Sequence, residues 1–248
     1  FCNTTVVLCS ATQPSLAKLP ENNIFECTEM TGTVQKYADA FKRVLFEDAT
    51  NLVPGGMSYE DLAVFSLKAF EHCQSVLVIV NTKSCAKKTY ETIKRLCVYD
   101  CELYHLSTYM CPENRKDEIA RLKEHLRVKR PVICVSTQLI EAGVNLSFSC
   151  VIRSLAGLDS IIQAAGRCNR HKDCDTMGKV YIIKMALDAE RTDLLGDIFK
   201  AQRACEKFLD YYRLNPERYE NSIDSETAVK VYYKEYFYDD GAQSTKYI

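Results

Sequence analysis

The chain has 248 residues, 47% of them hydrophobic and 26% charged, enough for one large domain or two small ones with an ample core. Its 32 basic and 33 acidic side chains leave a formal net charge of -1, so no global field recruits nucleic acid and any such binding must come from local patches. No apolar run approaches the roughly twenty residues that span a bilayer, and the first residues are not a basic region followed by an apolar signal core. A soluble cytoplasmic protein with no membrane partner is therefore expected. Phe1 in place of an initiator Met makes a piece of a longer protein the expectation.

The first apolar run, 4–9, reads as a buried strand opening into the turn Ser10-Ala11-Thr12-Gln13-Pro14, and a second strand is expected at 24–28. Further strands are predicted at 42–47, 75–80, 102–106, 131–136, 149–153 and 178–184. Helices are predicted at 58–72, 84–97, 113–126, 158–170 and 196–211, and residues 48–58, with Pro54-Gly55-Gly56, form a surface loop. Buried strands alternating with helices mean an α/β fold, a parallel sheet covered by helices on both faces. Past Asp188 the pattern becomes a helix and then an aromatic, charged tail, Tyr232 to Tyr247, expected to pack on a neighbour.

Thirteen cysteines lie scattered in strands and helices without framework spacing, which suits small buried hydrophobes in a reducing compartment. Cys168-x-x-His171-x-x-Cys174 offers three ligands and no fourth at a usual spacing, so no metal site is expected and Cys168 reads as packing. Two basic sets, Lys83 to Arg95 and Arg121 to Arg130, fall on helices, where a solvated face is the ordinary fate of most members.

Three turns bear hydroxyls or amides at strand ends: Asn81-Thr82-Lys83, Ser107-Thr108 and Ser136-Thr137-Gln138. Singly each is a helix cap; as a set at the carboxyl ends of parallel strands they form a row suited to phosphates. On a continuous helix, Gln163, Gly166, Arg167 and Arg170 share one face and offer one amide and two permanent charges. Arginines so spaced are commonly only salt-bridged, yet a guanidinium fork also matches the oxygens of a transferring phosphoryl group.

Ser10-Ala11-Thr12, the Thr137…Gly143…Asn145 stretch and Gln163-x-x-Gly-Arg-x-x-Arg170 resemble the third, fifth and sixth motifs of superfamily two helicases, in order and spacing. The wording of Ser10-Ala-Thr-Gln-Pro14, of Leu106-Ser-Thr-Tyr-Met-Cys-Pro112 with Arg115, and of Thr137-Gln-Leu-Ile-Glu-Ala-Gly143 is most similar to the CRISPR-associated helicase–nuclease of type I systems. The resemblance covers about residues 1 to 185. It implies a recombinase-like P-loop NTPase lobe at 31–188, a remnant of the first lobe at 1–30, and a helical and aromatic extension at 189–248.

Under this resemblance Arg170 is an arginine finger on the γ-phosphate of ATP, Arg167 stands beside it and Gln163 positions the pair. Gly143 and Asn145 line the ribose side. The family usually has Asp at the Asn145 position, and the amide here loses the charge-assisted part of a ribose bond. Glu141 is either a partner of Arg167 in the empty state or an exposed carboxylate. Asn81, Thr82, Lys83, Ser107, Thr108, Arg115, Ser136, Thr137 and Gln138 are the expected contacts to single-stranded DNA. Ser10 and Thr12 would couple hydrolysis to movement.

The implied activity is ATP-driven 3′-to-5′ translocation on DNA in antiviral defence, after recruitment by a guide-RNA surveillance complex. The chain lacks a Gly-x-x-x-x-Gly-Lys-Ser/Thr loop, a strand-end Asp-Glu pair for Mg2+ and a nuclease His-Asp pair, so ATP and magnesium are expected to be held mainly by a first lobe outside it, as is the nuclease domain with its metal. The chain alone is then expected to be inactive. Two other readings remain open: the lobe of an RNA-remodelling helicase, and a non-catalytic protein-docking module.

Overall fold

A computed structural model describes Val7 and residues 42–140, 144–170 and 176–238. The expected strands at 4–9 and 24–28, and with them Ser10 and Thr12, lie outside the described residues, as do Glu141, Gly143, His171 and Cys174.

Six parallel strands form one sheet: β1 (Val44–Asp48), β2 (Ser75–Ile79), β3 (Glu102–Leu106), β4 (Val132–Ser136), β5 (Cys150–Ser154) and β6 (Gly178–Ile183), in the order β1-β6-β5-β2-β4-β3. The central strands are buried on both faces: β2 reads Ser-Val-Leu-Val-Ile and β4 Val-Ile-Cys-Val-Ser, continuous apolar runs that only a doubly covered sheet accommodates. The α/β class read from the sequence holds, and each of the six strands lies within two residues of its expected place.

Helices α1 (Tyr59–Cys73) and α2 (Lys83–Leu96) cover one face, sharing a core with Val76, Val78, Ile133, Val135 and Ile152. Ser58 starts α1 with a capping box: its hydroxyl accepts from Asp61 N (3.1 Å) while Ser58 N donates to the Asp61 carboxylate (3.0 Å). Helices α3 (Pro112–Arg127) and α4 (Leu158–Ala165) cover the other face over Leu77, Ile79, Cys134, Val151 and Val180. Helix α5 (Gly196–Leu214) and helix α6 (Glu226–Tyr238) extend that layer over Leu155, Leu158, Ile161 and Ile182.

Two expectations need correction. The aromatic tail does not wait for a neighbour over its described part: Tyr232 is buried against α5, and its hydroxyl donates to Asp159 Oδ1 (3.2 Å). Charged residues among the tyrosines masked an amphipathic helix. The helix expected at 158–170 stops at Ala165. Beyond it, Arg167 N and Cys168 N donate to carbonyls three residues back, Phe148 N takes Arg167 O (2.9 Å), and Asn169 N takes Phe148 O (2.8 Å). The parallel bridge Phe148–Cys168 thus pulls the chain off the helical path, and Asn169 sits at φ 45°, a left-handed conformation that Asn tolerates.

Candidate functional site

Because α4 ends early, Gln163, Arg167 and Arg170 do not share one helical face, and the two arginines occupy different environments. Arg167 is buried, and its Nη1 donates to the carbonyl of Val144, joining the two stretches that carry the arginines and Asn145. Arg170 is half-buried; its backbone N donates to Ser147 Oγ (3.0 Å), and its carbonyl accepts from Arg43 Nη1 (2.9 Å). Its guanidinium has no hydrogen-bond or ion-pair partner among the described residues. Gln163 and Asn145 are exposed. Sequence distance between 144–147 and 167–170 is thus closed by two bonds, one from the Arg167 side chain and one from the Arg170 backbone.

Close packing fixes this turn from below. The Cys168 thiol is buried against Ser149 O (3.4 Å) and Lys179 O (3.5 Å). A Cβ on Gly178 would stand 2.5 Å from Cys168 Sγ and 3.0 Å from Asn169 Cβ, so β6 has to open on a glycine for the turn to sit where it does.

The three hydroxyl-bearing turns come together as expected from the sheet order, since β2, β4 and β3 are neighbours and their carboxyl ends lie in a row. Not every candidate faces outward. Ser136 is fully buried and donates to Leu106 O (3.1 Å), tying β4 to β3. Ser107 and Thr137 are also buried. Asn81 is engaged inside: its Nδ2 donates to Leu155 O (2.9 Å) and Glu190 Oε2 (2.9 Å), its backbone N to Glu190 Oε1 (2.5 Å), and its Oδ1 accepts from Arg153 Nη1 (2.8 Å). The expected strand contact through the Asn81 amide is therefore corrected to an anchor for the turn that follows it. Thr82 caps α2 by accepting from Cys85 N (3.2 Å). Thr108 is exposed, while Lys83, Arg115 and Gln138 are half-buried.

Sequence reasoning missed the Arg153–Asn81–Glu190 network. Arg153 is fully buried in the apolar strand β5, and Ser154 Oγ also donates to Glu190 (2.5 Å). The signal was present: a lone arginine in a doubly buried strand requires an acidic or amide partner. The partner lies 37 residues on, in a stretch without regular pattern.

Electrostatically, half of the ten cations in the two basic sets pair with neighbours: Lys87–Glu91, Arg95–Glu60, Arg121–Glu118, Arg127–Glu124 and Arg130–Glu102 are ion pairs. Arg115, Lys116 and Lys123 line a groove of about 350 Å³ with Val144 and Asn145, and Lys83 stands beside the β2 turn. Thr82, Lys83, Thr108 and Gln138, each at least partly exposed, lie at the carboxyl ends of β2, β3 and β4 along one end of the sheet.

Residues 72–173 match the family described as "CRISPR-associated nuclease/helicase Cas3, C-terminal". A CRISPR-associated nuclease/helicase Cas3 of Methanothermobacter thermautotrophicus is 30% identical over 151 residues, which are 60% of this chain and 17% of that protein. That of Haloferax volcanii is 47% identical over 60 residues, 24% of this chain and 6% of the relative. This chain thus spans less than a fifth of either. The crystal structure of T. fusca Cas3-AMPPNP is similar with a TM-score of 0.60 at 18% identity, over 77% of this chain and 24% of the other. A chain of a CRISPR RNA-guided surveillance complex, pre-nicking, gives 0.53 at 17% identity, over 77% of this chain and 25% of its own. At such identities these likenesses establish the α/β fold alone. Over residues 72–173, from the end of α1 through the Arg170 turn, this chain is thus similar to the C-terminal part of Cas3, in agreement with the resemblance read from the motifs.

Proposed function

We propose that the chain is the second motor lobe of an ATP-driven single-stranded-DNA translocase of CRISPR defence, with residues 31–188 as the lobe proper, 1–30 as the end of a first lobe and 189–248 as an extension. ATP would lie between the lobes, its phosphates and Mg2+ held by the facing lobe. This chain would supply charge stabilisation at the transferring phosphoryl group, where an arginine finger is worth on the order of 10³–10⁵ in rate.

The observation that carries the reading is the divided role of the two arginines. Arg167, buried and bonded to Val144 O, is suited to hold the Asn145 stretch in position. Arg170, with an unengaged guanidinium among the described residues, is suited to reach the γ-phosphate when the lobes close. Gln163 and Asn145, exposed on either side, are suited to the phosphate and ribose ends. Gly143 and Glu141 belong to the same proposed nucleotide side, and Ser10 and Thr12 to the coupling element. Thr82, Lys83, Thr108, Arg115 and Gln138 would hold the strand by its phosphates, through contacts that carry no sequence information. Opening and closing of the cleft would then shift this lobe along the strand, while the nuclease domain and guide-RNA surveillance complex act through other parts of the protein.

The test is ATP turnover in a protein containing both lobes, with single-stranded DNA present. Arg170→Ala should lower turnover by about 10³ or more while leaving strand affinity intact. The 248-residue chain alone should release no phosphate. Turnover by the lone chain that Arg170→Ala abolishes would overturn the reading, and a preference for RNA over DNA strands would move it to an RNA-remodelling motor.

A further inference from the structure

The turn after β3 has a feature that phosphate contacts leave unexplained. Met110 N donates to Ser107 O (3.1 Å), closing a β-turn whose two central residues are Thr108 and Tyr109. The turn is pinned at both ends, by Ser107 at 1% exposure and by Met110 packed against the core, while the Tyr109 ring is 80% exposed. The ring is nevertheless held. Lys83 Nζ stands 4.2 Å from its centroid. Lys83 follows β2 and Tyr109 follows β3, with β4 between them, so the pair reaches over the end of β4 and across the hydroxyl row.

An isolated exposed tyrosine needs no explanation. A tyrosine braced by a cation from two strands away, on a pinned turn beside the exposed Thr108, is preorganised for a flat ligand. The ammonium covers one face of the ring and leaves the other open. It also places a positive charge one ring's thickness from anything that stacks there. A nucleotide has both matching parts: a base for the open face and a phosphate for the charge.

We propose that Tyr109 is a nucleobase-stacking site on this lobe, with Lys83 as its brace, and that it adds contact with the bases to a track otherwise made of phosphate contacts. This rests on the strand-track reading above. Stacking is tolerant of sequence because every base has a π-face, so the site gives grip on unpaired strands without specificity. It also selects against duplex, whose bases present no free face.

The test compares binding of the 248-residue chain to a labelled oligothymidylate of roughly 12 nucleotides and to a base-free deoxyribose-phosphate strand of equal length, by fluorescence anisotropy. Tyr109→Ala should weaken oligothymidylate binding about 5- to 100-fold and leave the base-free strand unchanged. Tyr109→Phe should bind oligothymidylate like the parent. Lys83→Ala should weaken both strands and reduce the salt slope by about 1. The Tyr109→Ala variant should keep the parent's thermal melt, because the ring is exposed. If the parent binds both strands alike and Tyr109→Ala changes neither, or weakens both equally, stacking is refuted while the phosphate track stands. If the parent binds neither strand, the track itself fails and this site with it.

Discussion

Glu190 and Asn81 are 109 residues apart in the chain, and the Glu190 carboxylate accepts both the backbone N–H of Asn81 (2.5 Å) and its side-chain amide (2.9 Å). The same carboxylate takes Ser154 Oγ, and Asn81 in turn accepts from buried Arg153. The turn that leads to Thr82 and Lys83 is thus fastened from below by a polar network within the protein. Removing the acceptor strands three buried donors at once. Glu190→Ala should cost about 3 kcal/mol in urea unfolding. Glu91→Ala, which breaks the exposed 3.9 Å pair with Lys87, should cost under about 0.5 kcal/mol. Equal, small losses from both would show that the network contributes nothing to stability.

The two arginines of the 167–170 turn should separate in the same assay. Arg167 is buried, packs its aliphatic stem and donates to Val144 O, so Arg167→Ala loses a charge-assisted bond and leaves a cavity. A loss of about 2–3 kcal/mol is expected. Arg170→Ala should stay within about 0.5 kcal/mol of the parent, since its guanidinium binds nothing among the described residues. The proposed division of labour fails if Arg170→Ala is the destabilising change.

That division also marks how far the sequence could be read. The six strands were legible because a doubly covered parallel sheet writes itself as short apolar runs, as in Val76–Val80 and Val132–Val135. The row of turns followed from those strands. What was not legible is tertiary in origin. Nothing local tells that Phe148 will bridge Cys168 and end α4 after Ala165, since Gly166-Arg167-Cys168 continues a helix acceptably by propensity alone. Likewise, the inward turn of Ser136 and Asn81 depends on where Leu106 O and Glu190 stand, and only the folded sheet fixes those places.

His105 gives a pH dependence with a definite sign. It stands on edge strand β3, stacked on Tyr90 with centroids 5.5 Å apart, and its Nε2 has no hydrogen-bond partner among the described residues. Burial lowers its pKa below the usual histidine value; Glu91 raises it, and Lys87 on the same helix lowers it. The unfolded chain therefore binds the proton more readily than the folded one. Stability is fully present above the unfolded value near 6.5 and is lost as pH falls through the lower folded value. His105→Phe keeps the ring stack and removes the titration, so its urea midpoint should fall less than the parent's between pH 7 and pH 5. A parallel fall in both proteins would assign the acid sensitivity elsewhere.

Thiol reactivity should follow burial rather than number. Cys101 is pushed up to about 12 by burial and by its bond to Cys97, with Sγ atoms 3.6 Å apart. Its thiolate fraction at pH 8 is on the order of 10⁻⁴. Cys111, exposed ahead of α3, should be alkylated first among the nine described cysteines when the folded protein meets iodoacetamide, as read by peptide mass spectrometry. Early labelling of Cys101 in folded protein would contradict the placement of the α2–β3 turn.

The sharpest test of the arginine turn uses no arginine. Gly178 opens β6 directly beneath Cys168, and an added Cβ there falls 2.5 Å from the sulfur and 3.3 Å from Ser149 O. Because those neighbours are backbone and a buried thiol, the strain has no flexible chain end to absorb it. Gly178→Ala should cost about 1–3 kcal/mol. Cys168→Ala removes the atom in closest conflict, at the expense of a small cavity. The double variant should then be more stable than the sum of the two single losses predicts, by about 0.5 kcal/mol or more. Strict additivity would mean that the 167–170 turn does not rest on β6.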